Sequence, residues 1–204
     1  MAHGQALKDA VDTLEHAPEH WHTTLLIELA SENLFNCFEL VEGHKTQSIS
    51  RVSWAARSLL ELHYFCRFVM VSVDNARRFR EDLVCDYQDL LNTFAKNPQN
   101  AAFIAQGQSV LDQVWAQGIG KVTRQDKYLC ARDIAEALGE GAPFGDAHKF
   151  LSKFVHPTSF SIQFRKAQQL QALVLSSVVE SATRIIAHTF PLMAAHIRAH
   201  SVRG

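Results

Sequence analysis

The sequence predicts an all-α protein, a single-domain helical bundle of about six to eight helices covering residues 1–204. Three observations predict it. Gly and Pro are scarce, at 9 and 5 in 204 residues, too few for the many turns of a sandwich or barrel. Hydrophobic residues make up 47% of the chain and charged residues 20%, which excludes a disordered protein and suits a packed core. Long runs of Leu, Ala, Glu, Gln and Arg recur at helical spacing, and no segment alternates as a strand would. The length favours one domain over two.

In chain order, residues 5–16 read as a modest amphipathic helix that stops before Pro18. A second helix is expected from about Glu19 to Val41, with Trp21, Leu25, Leu29, Leu34, Phe38 and Val41 near helical spacing and Gly43 as terminator. The third is the apolar segment Val52 to Val73, with Ser48 or Ser50 available as its cap. A fourth carries RRFREDLVCDYQDLLNTFAK and ends before Asn97-Pro98; neither Asp74 nor Asn75 forces a break between it and the third. A fifth follows Pro98. The stretch GIGKVTRQDKYLC is the clearest loop, RDIAEALGE a short helix closed by Gly139, and GEGAPFGD a turn-rich connector. A short helix from His148 ends at His156, because Pro157 cannot continue it and disfavours helical geometry just before it. The last helix runs from about Gln163 and is bent or ended near Pro191.

Twenty basic residues against 21 acidic ones give a formal charge of -1, so no global field gathers nucleic acid or an anionic membrane. Cys37, Cys66, Cys85 and Cys130 lie far apart with no CxxC pair, which suits reduced thiols in a cytoplasmic protein. No basic start leads into an apolar stretch, and no uninterrupted apolar run approaches the roughly 18 residues that span a bilayer, so no membrane partner is expected.

The apolar third helix breaks its own pattern. At about 100° per residue, Ser50, Ser53, Arg57, Glu61 and Tyr64 fall within roughly 80° of one another and make a polar stripe. The plain reading is a solvated face with an ordinary Arg57–Glu61 pair at (i, i+4) spacing, worth a few tenths of a kcal/mol. The sharper reading brings in the short helix, where Lys149, Ser152 and His156 share a side. Arg57, Glu61 and His156 meeting in one cleft would grip a phosphate or carboxylate through the guanidinium and move a proton through the imidazole, with Tyr64, Lys149 and Ser152 as ligand-binding neighbours.

RSLLEL, followed about 90 residues later by LSKFVHPTS, resembles a widespread bacterial family of helical proteins with an Arg-x-x-x-Glu helix and a late Ser-x-x-x-His-Pro motif. The likeness covers roughly Arg51 to Phe160. That family looks related to the HEPN helical domains (higher eukaryotes and prokaryotes nucleotide-binding), many of which are toxin or antiviral ribonucleases acting as dimers. The resemblance implies a helical bundle, a homodimer, and work on RNA or nucleotides, with metal-independent cleavage as its catalytic form. Arg57 and His63, separated by five residues, match the HEPN nuclease spacing, yet six positions apart they project about 120° from each other on a regular helix.

Other chemistries find less support. Glu19 and His22 have ExxH spacing without a second copy, His196 and His200 lie one turn apart, and neither set completes a metal site. Arg77, Arg78 and Arg80 are followed directly by Glu81 and Asp82, as on a solvated face. No Gly-rich phosphate loop and no Gly-x-Ser-x-Gly elbow occurs, and no cofactor is expected. The alternative to an RNA-binding or nuclease protein is a non-catalytic interaction protein in which Arg57, Glu61 and His156 only fix helix packing.

Overall fold

The computed structural model describes residues 2–12, 21–114, 129–156 and 168–201. Among them are eight α-helices and one short 3-10 turn, and no strand, as the composition predicts. The helices are α1 (Ala2–Asp12), α2 (Trp21–Lys45), α3 (Ile49–Val71), α4 (Val73–Phe94), α5 (Ala101–Val114), α6 (Ala131–Ala137), α7 (Gly141–Val155) and α8 (Gln168–Ser201). They group into two compact units, Met1–Val71 with Ala131–Gly204, and Ser72–Cys130, where length alone suggests one domain.

In the larger unit, α2 and α3 form a tight helical hairpin. Gly43, expected to terminate α2, lies inside it: a Cβ there would stand 2.8 Å from Val52 Cγ2 and 3.1 Å from Val52 N, so glycine lets the two helices meet. The chain turns one residue set later. Gln47 takes φ 54°, its N–H donates to the His44 carbonyl at 3.1 Å, and the Ser48 N–H donates to the Gly43 carbonyl at 2.8 Å. That is the paired hydrogen-bond closure normally completed by glycine. Ser48 then accepts from the Arg51 N–H at 3.4 Å and opens α3.

α3 is the central helix, packed by α2, α6, α7 and α8. Val52, Ala55, Ala56, Leu59, Cys66 and Val69 are all but completely buried, which accounts for its apolar sequence. The core continues through Leu26 and Ala30 of α2, Leu7 and Ala10 of α1, and Phe190, Met193, Ala194 and Ile197 of α8. α8 does not end at Pro191, which lies within it. By length and composition alone, Leu170–Ala199 is apolar enough to cross a bilayer, a test that helices of water-soluble proteins also pass.

α6 stops as expected. Gly139 has φ 75°, its N–H donates to the Glu136 carbonyl at 3.0 Å, and Glu140 N–H donates to the Ala135 carbonyl at 2.8 Å. GEGAPFGD, however, is not a connector. α7 begins at Gly141, seven residues before His148, and its first bond runs from Phe144 N–H to the Glu140 carbonyl at 3.1 Å. Pro143 is tolerated because the first-turn N–H groups have no partner within a helix in any case. His156 is extended at φ -100°, ψ 148°, as a residue before proline should be.

The smaller unit is a hairpin of α4 and α5 joined through the 3-10 turn Pro98–Asn100. The break left open between the third and fourth helices falls at Ser72, whose side chain accepts from Asn75 N–H at 3.1 Å and so caps α4. Val84, Leu91 and Leu111 make its core, with Tyr87 packed against them. A Cβ on Gly107 would lie 2.5 Å from Leu91 Cδ2, so glycine here permits close approach of the two helices. The start of α1 lies earlier than expected, and most of GIGKVTRQDKYLC, together with Pro157–Phe160, falls outside the described residues.

Candidate functional site

The α3–α7 seam is built from antiparallel rungs. Glu61 meets His148, Tyr64 meets Phe144, and Arg67 meets Glu140, so each step back along α3 is a step forward along α7. α7 packs on the side of α3 that carries the polar stripe, which is therefore a contact line within the fold at its Glu61 and Tyr64 positions.

At the first rung, Arg57 Nε donates to Glu61 Oε1 at 3.0 Å, and His148 Nε2 lies 3.0 Å from the same oxygen. The side chains of Arg57, Glu61 and His148 are 27%, 33% and 28% exposed, half-buried yet open to solvent. A carboxylate only accepts, so the hydrogen of that contact is on Nε2; in the neutral ring the lone pair is on Nδ1. Phe144 stacks on the His148 ring at 5.3 Å and 25°, fixing its plane. Among the described residues, Arg57 makes its protein hydrogen bond through Nε, which leaves both Nη groups for a ligand.

The histidine on Glu61 is therefore His148, not His156. His156 stands eight residues further along α7, about 12 Å up its axis, exposed at the helix end. The register places Ser152 level with Arg57, and Val155 and His156 level with Trp54. Ser152 donates to the His148 carbonyl at 2.7 Å, and Lys149 is exposed. Tyr64 is buried and its hydroxyl donates to Glu140 Oε2 at 3.1 Å, so it closes the seam and does not face an open cleft. Burial and that carboxylate push its phenol up to about 12.

A second polar group occupies the other end of the seam. Arg67 Nη1 donates to both Glu140 oxygens, at 3.0 and 2.8 Å, and its guanidinium holds that carboxyl below the usual range. Glu140 is the cap position of α7 yet makes no cap bond to its own helix; its side chain ties the start of α7 to α3. On the far side, Thr189 donates its hydroxyl hydrogen to the Ile185 carbonyl at 2.8 Å, so it accepts from His63 Nδ1–H at 2.8 Å. The His63 Nε2 lone pair then faces Arg67 Nη1 at 3.4 Å. Burial first, and the Arg67 charge second, lower His63 to about 4.

Arg57 and His63 thus belong to different groups, as their angular separation on α3 predicts. Sequence reasoning missed His148, Glu140 and Arg67. His148, Ser152 and His156 recur every four residues along one side of α7, a signal the sequence does carry for His148, whereas the sequence reading groups Lys149, Ser152 and His156; which of them meets Glu61 is set by helix register. Of the histidines weighed for metal, His22 and His196 meet edge to face at 6.3 Å, while Glu19 and the His200 side chain lie outside the described residues. Among the described residues no group of three or more His, Cys, Asp or Glu side chains converges as a metal site. Comparisons with protein-family models, with curated proteins and with solved structures find no match to this chain.

Proposed function

We propose that the α3–α7 seam binds RNA or another phosphate-bearing ligand, in a HEPN-like helical protein of toxin or defence type, acting as a homodimer in the cytoplasm. The observation that supports this is the Glu61 carboxylate shared by Arg57 and His148 at 3.0 Å each on a half-exposed edge. Glu61 orients both groups at once. The Arg57 Nη pair then holds a phosphate, and the guanidinium is suited to that because it presents planar, always charged donors.

In the catalytic form of this reading, His148 Nδ1 removes the proton of a ribose 2′-hydroxyl. The 2′-oxygen attacks phosphorus, the bond to the 5′-oxygen breaks, and that oxygen leaves as an alcohol protonated from water, giving a 2′,3′-cyclic phosphate. Arg57 balances the charge that develops on the phosphate oxygens. Lys149 and Ser152 border the seam as further ligand contacts.

The test is binding and cleavage of labelled single-stranded and transfer RNA by the purified protein without added metal, beside Arg57→Ala and His148→Ala. Arg57→Ala should weaken binding about tenfold or more, equivalent to the loss of one charge-assisted contact. His148→Ala should retain binding and lose cyclic-phosphate product by a factor of about 10² or more. A packing role for the same three residues is favoured by the place of Glu61 and His148 in a ladder of interhelical rungs, with Arg57 fastened to Glu61. In that case both variants melt several degrees lower, and the wild-type protein neither binds nor cuts RNA above background.

A further inference from the structure

Trp54 is 42% exposed, although it belongs to the most deeply packed helix of the larger unit. Its neighbours one turn away on α3 are Ser50, Arg51, Arg57 and Ser58, all polar and all half-buried. On its own helix the exposed indole thus stands among polar residues, with Arg51 and Arg57 one turn to either side in sequence. Both arginines are held in place: Arg51 donates through Nε and Nη2 to Glu39 at 2.7 and 2.9 Å, and Arg57 donates through Nε to Glu61 at 3.0 Å. Side chains at i and i+3 on a helix stand with their Cβ atoms about 5–6 Å apart, so Trp54 and Arg57 are surface neighbours on α3.

An exposed apolar group meant for a protein partner usually sits within a contiguous apolar patch. At Trp54 the helix offers arginine and serine instead, the combination of stacking surface and phosphate donors that single-stranded nucleic acids use. We propose that Trp54 is a stacking platform for a base of single-stranded RNA whose phosphate is held by the Arg57 Nη groups. This rests on the reading of the α3–α7 seam given above and narrows it from any phosphate to a nucleotide.

The experiment is fluorescence anisotropy with two labelled oligomers of about ten units, one a single-stranded RNA and the other its abasic ribose-phosphate counterpart. Wild type, Trp54→Ala and Trp54→Phe are compared at one fixed salt concentration, since phosphate contacts are salt-dependent. Wild type should bind the RNA at least about tenfold more tightly than the abasic chain. Trp54→Ala should bring RNA binding down to the abasic level, Trp54→Phe should keep most of the difference, and abasic binding should be the same in all three. Equal binding of both oligomers by wild type, or unchanged RNA binding by Trp54→Ala, overturns the platform and leaves the phosphate reading standing; the ring is then a protein contact. No binding of either oligomer by wild type overturns both. If Trp54→Ala loses its cooperative melt, the wild-type comparison of the two oligomers decides alone.

Discussion

At the scale of single residues, the clearest anomaly is Gln47, a non-glycine residue at φ 54° in a closure that glycine completes at Gly139. A side chain in left-handed backbone costs of order 1 kcal/mol, and the exposed Gln47 amide recovers little of it through its 2.8 Å bond to the His44 carbonyl. Gln47→Gly is expected to stabilise the larger unit by about 0.5–1 kcal/mol, read as a shift of the urea midpoint with unchanged slope. An unchanged or lower midpoint would mean that the amide bond outweighs the backbone strain. The same residue shows why the end of α2 was misplaced in the sequence. Gly43 carries the stop signal, but its missing Cβ serves a contact with Val52, and the turn itself has no glycine.

At the scale of elements, the Thr189–His63–Arg67–Glu140–Tyr64 chain joins α8, α3 and the start of α7, and its linkage to pH follows from His63. The folded ring titrates near 4 against an ordinary value of 6.5, so folding favours the neutral form. Its contribution is fully present above about pH 6.5 and is lost as pH falls towards 4. With the ring's residual solvent contact allowed for, the loss is about 2 kcal/mol. Arg67 and His188 add to the depression and Glu140 opposes it. Urea midpoints at pH 7 and pH 4.5 should therefore differ more for wild type than for His63→Gln; equal differences would assign the pH dependence to other groups. Of this chain only Tyr64 was singled out beforehand, and in another role, because His63 reads from sequence as half of an Arg/His spacing while Thr189 and Glu140 are brought in by two other helices. What could be read were features fixed within a few residues: the end of α6 at Gly139, the end of α7 before Pro157, and the Arg57–Glu61 pair on one helix face. GEGAPFGD looked like a connector since Gly and Pro are counted as breakers, although in a first turn neither breaks anything.

At the scale of the whole molecule, the larger unit is interrupted in sequence by the smaller one, with α3 ending at Val71 and α6 resuming at Ala131. The larger unit has its own core across α1, α2, α3 and α8. Replacing residues 72–130 with a flexible Gly/Ser linker of about ten residues is expected to leave that unit folded, with a cooperative urea transition and the helical circular dichroism of its six helices. A non-cooperative transition would mean that the interrupted unit needs the inserted hairpin to fold. The helical class was legible at this scale because composition and helical spacing together decide it, whereas the division into two units depends on contacts far apart in sequence.

α3 holds Glu61 and Arg67 six residues apart, about 9 Å along one rod, and each is bonded to a fixed point on α7. Two such fastenings act like a pair of dowels between planks. One alone would allow α7 to pivot about it, but together they oppose both sliding and swivelling, so the Glu61 end of the seam owes its alignment to bonds made within the fold itself.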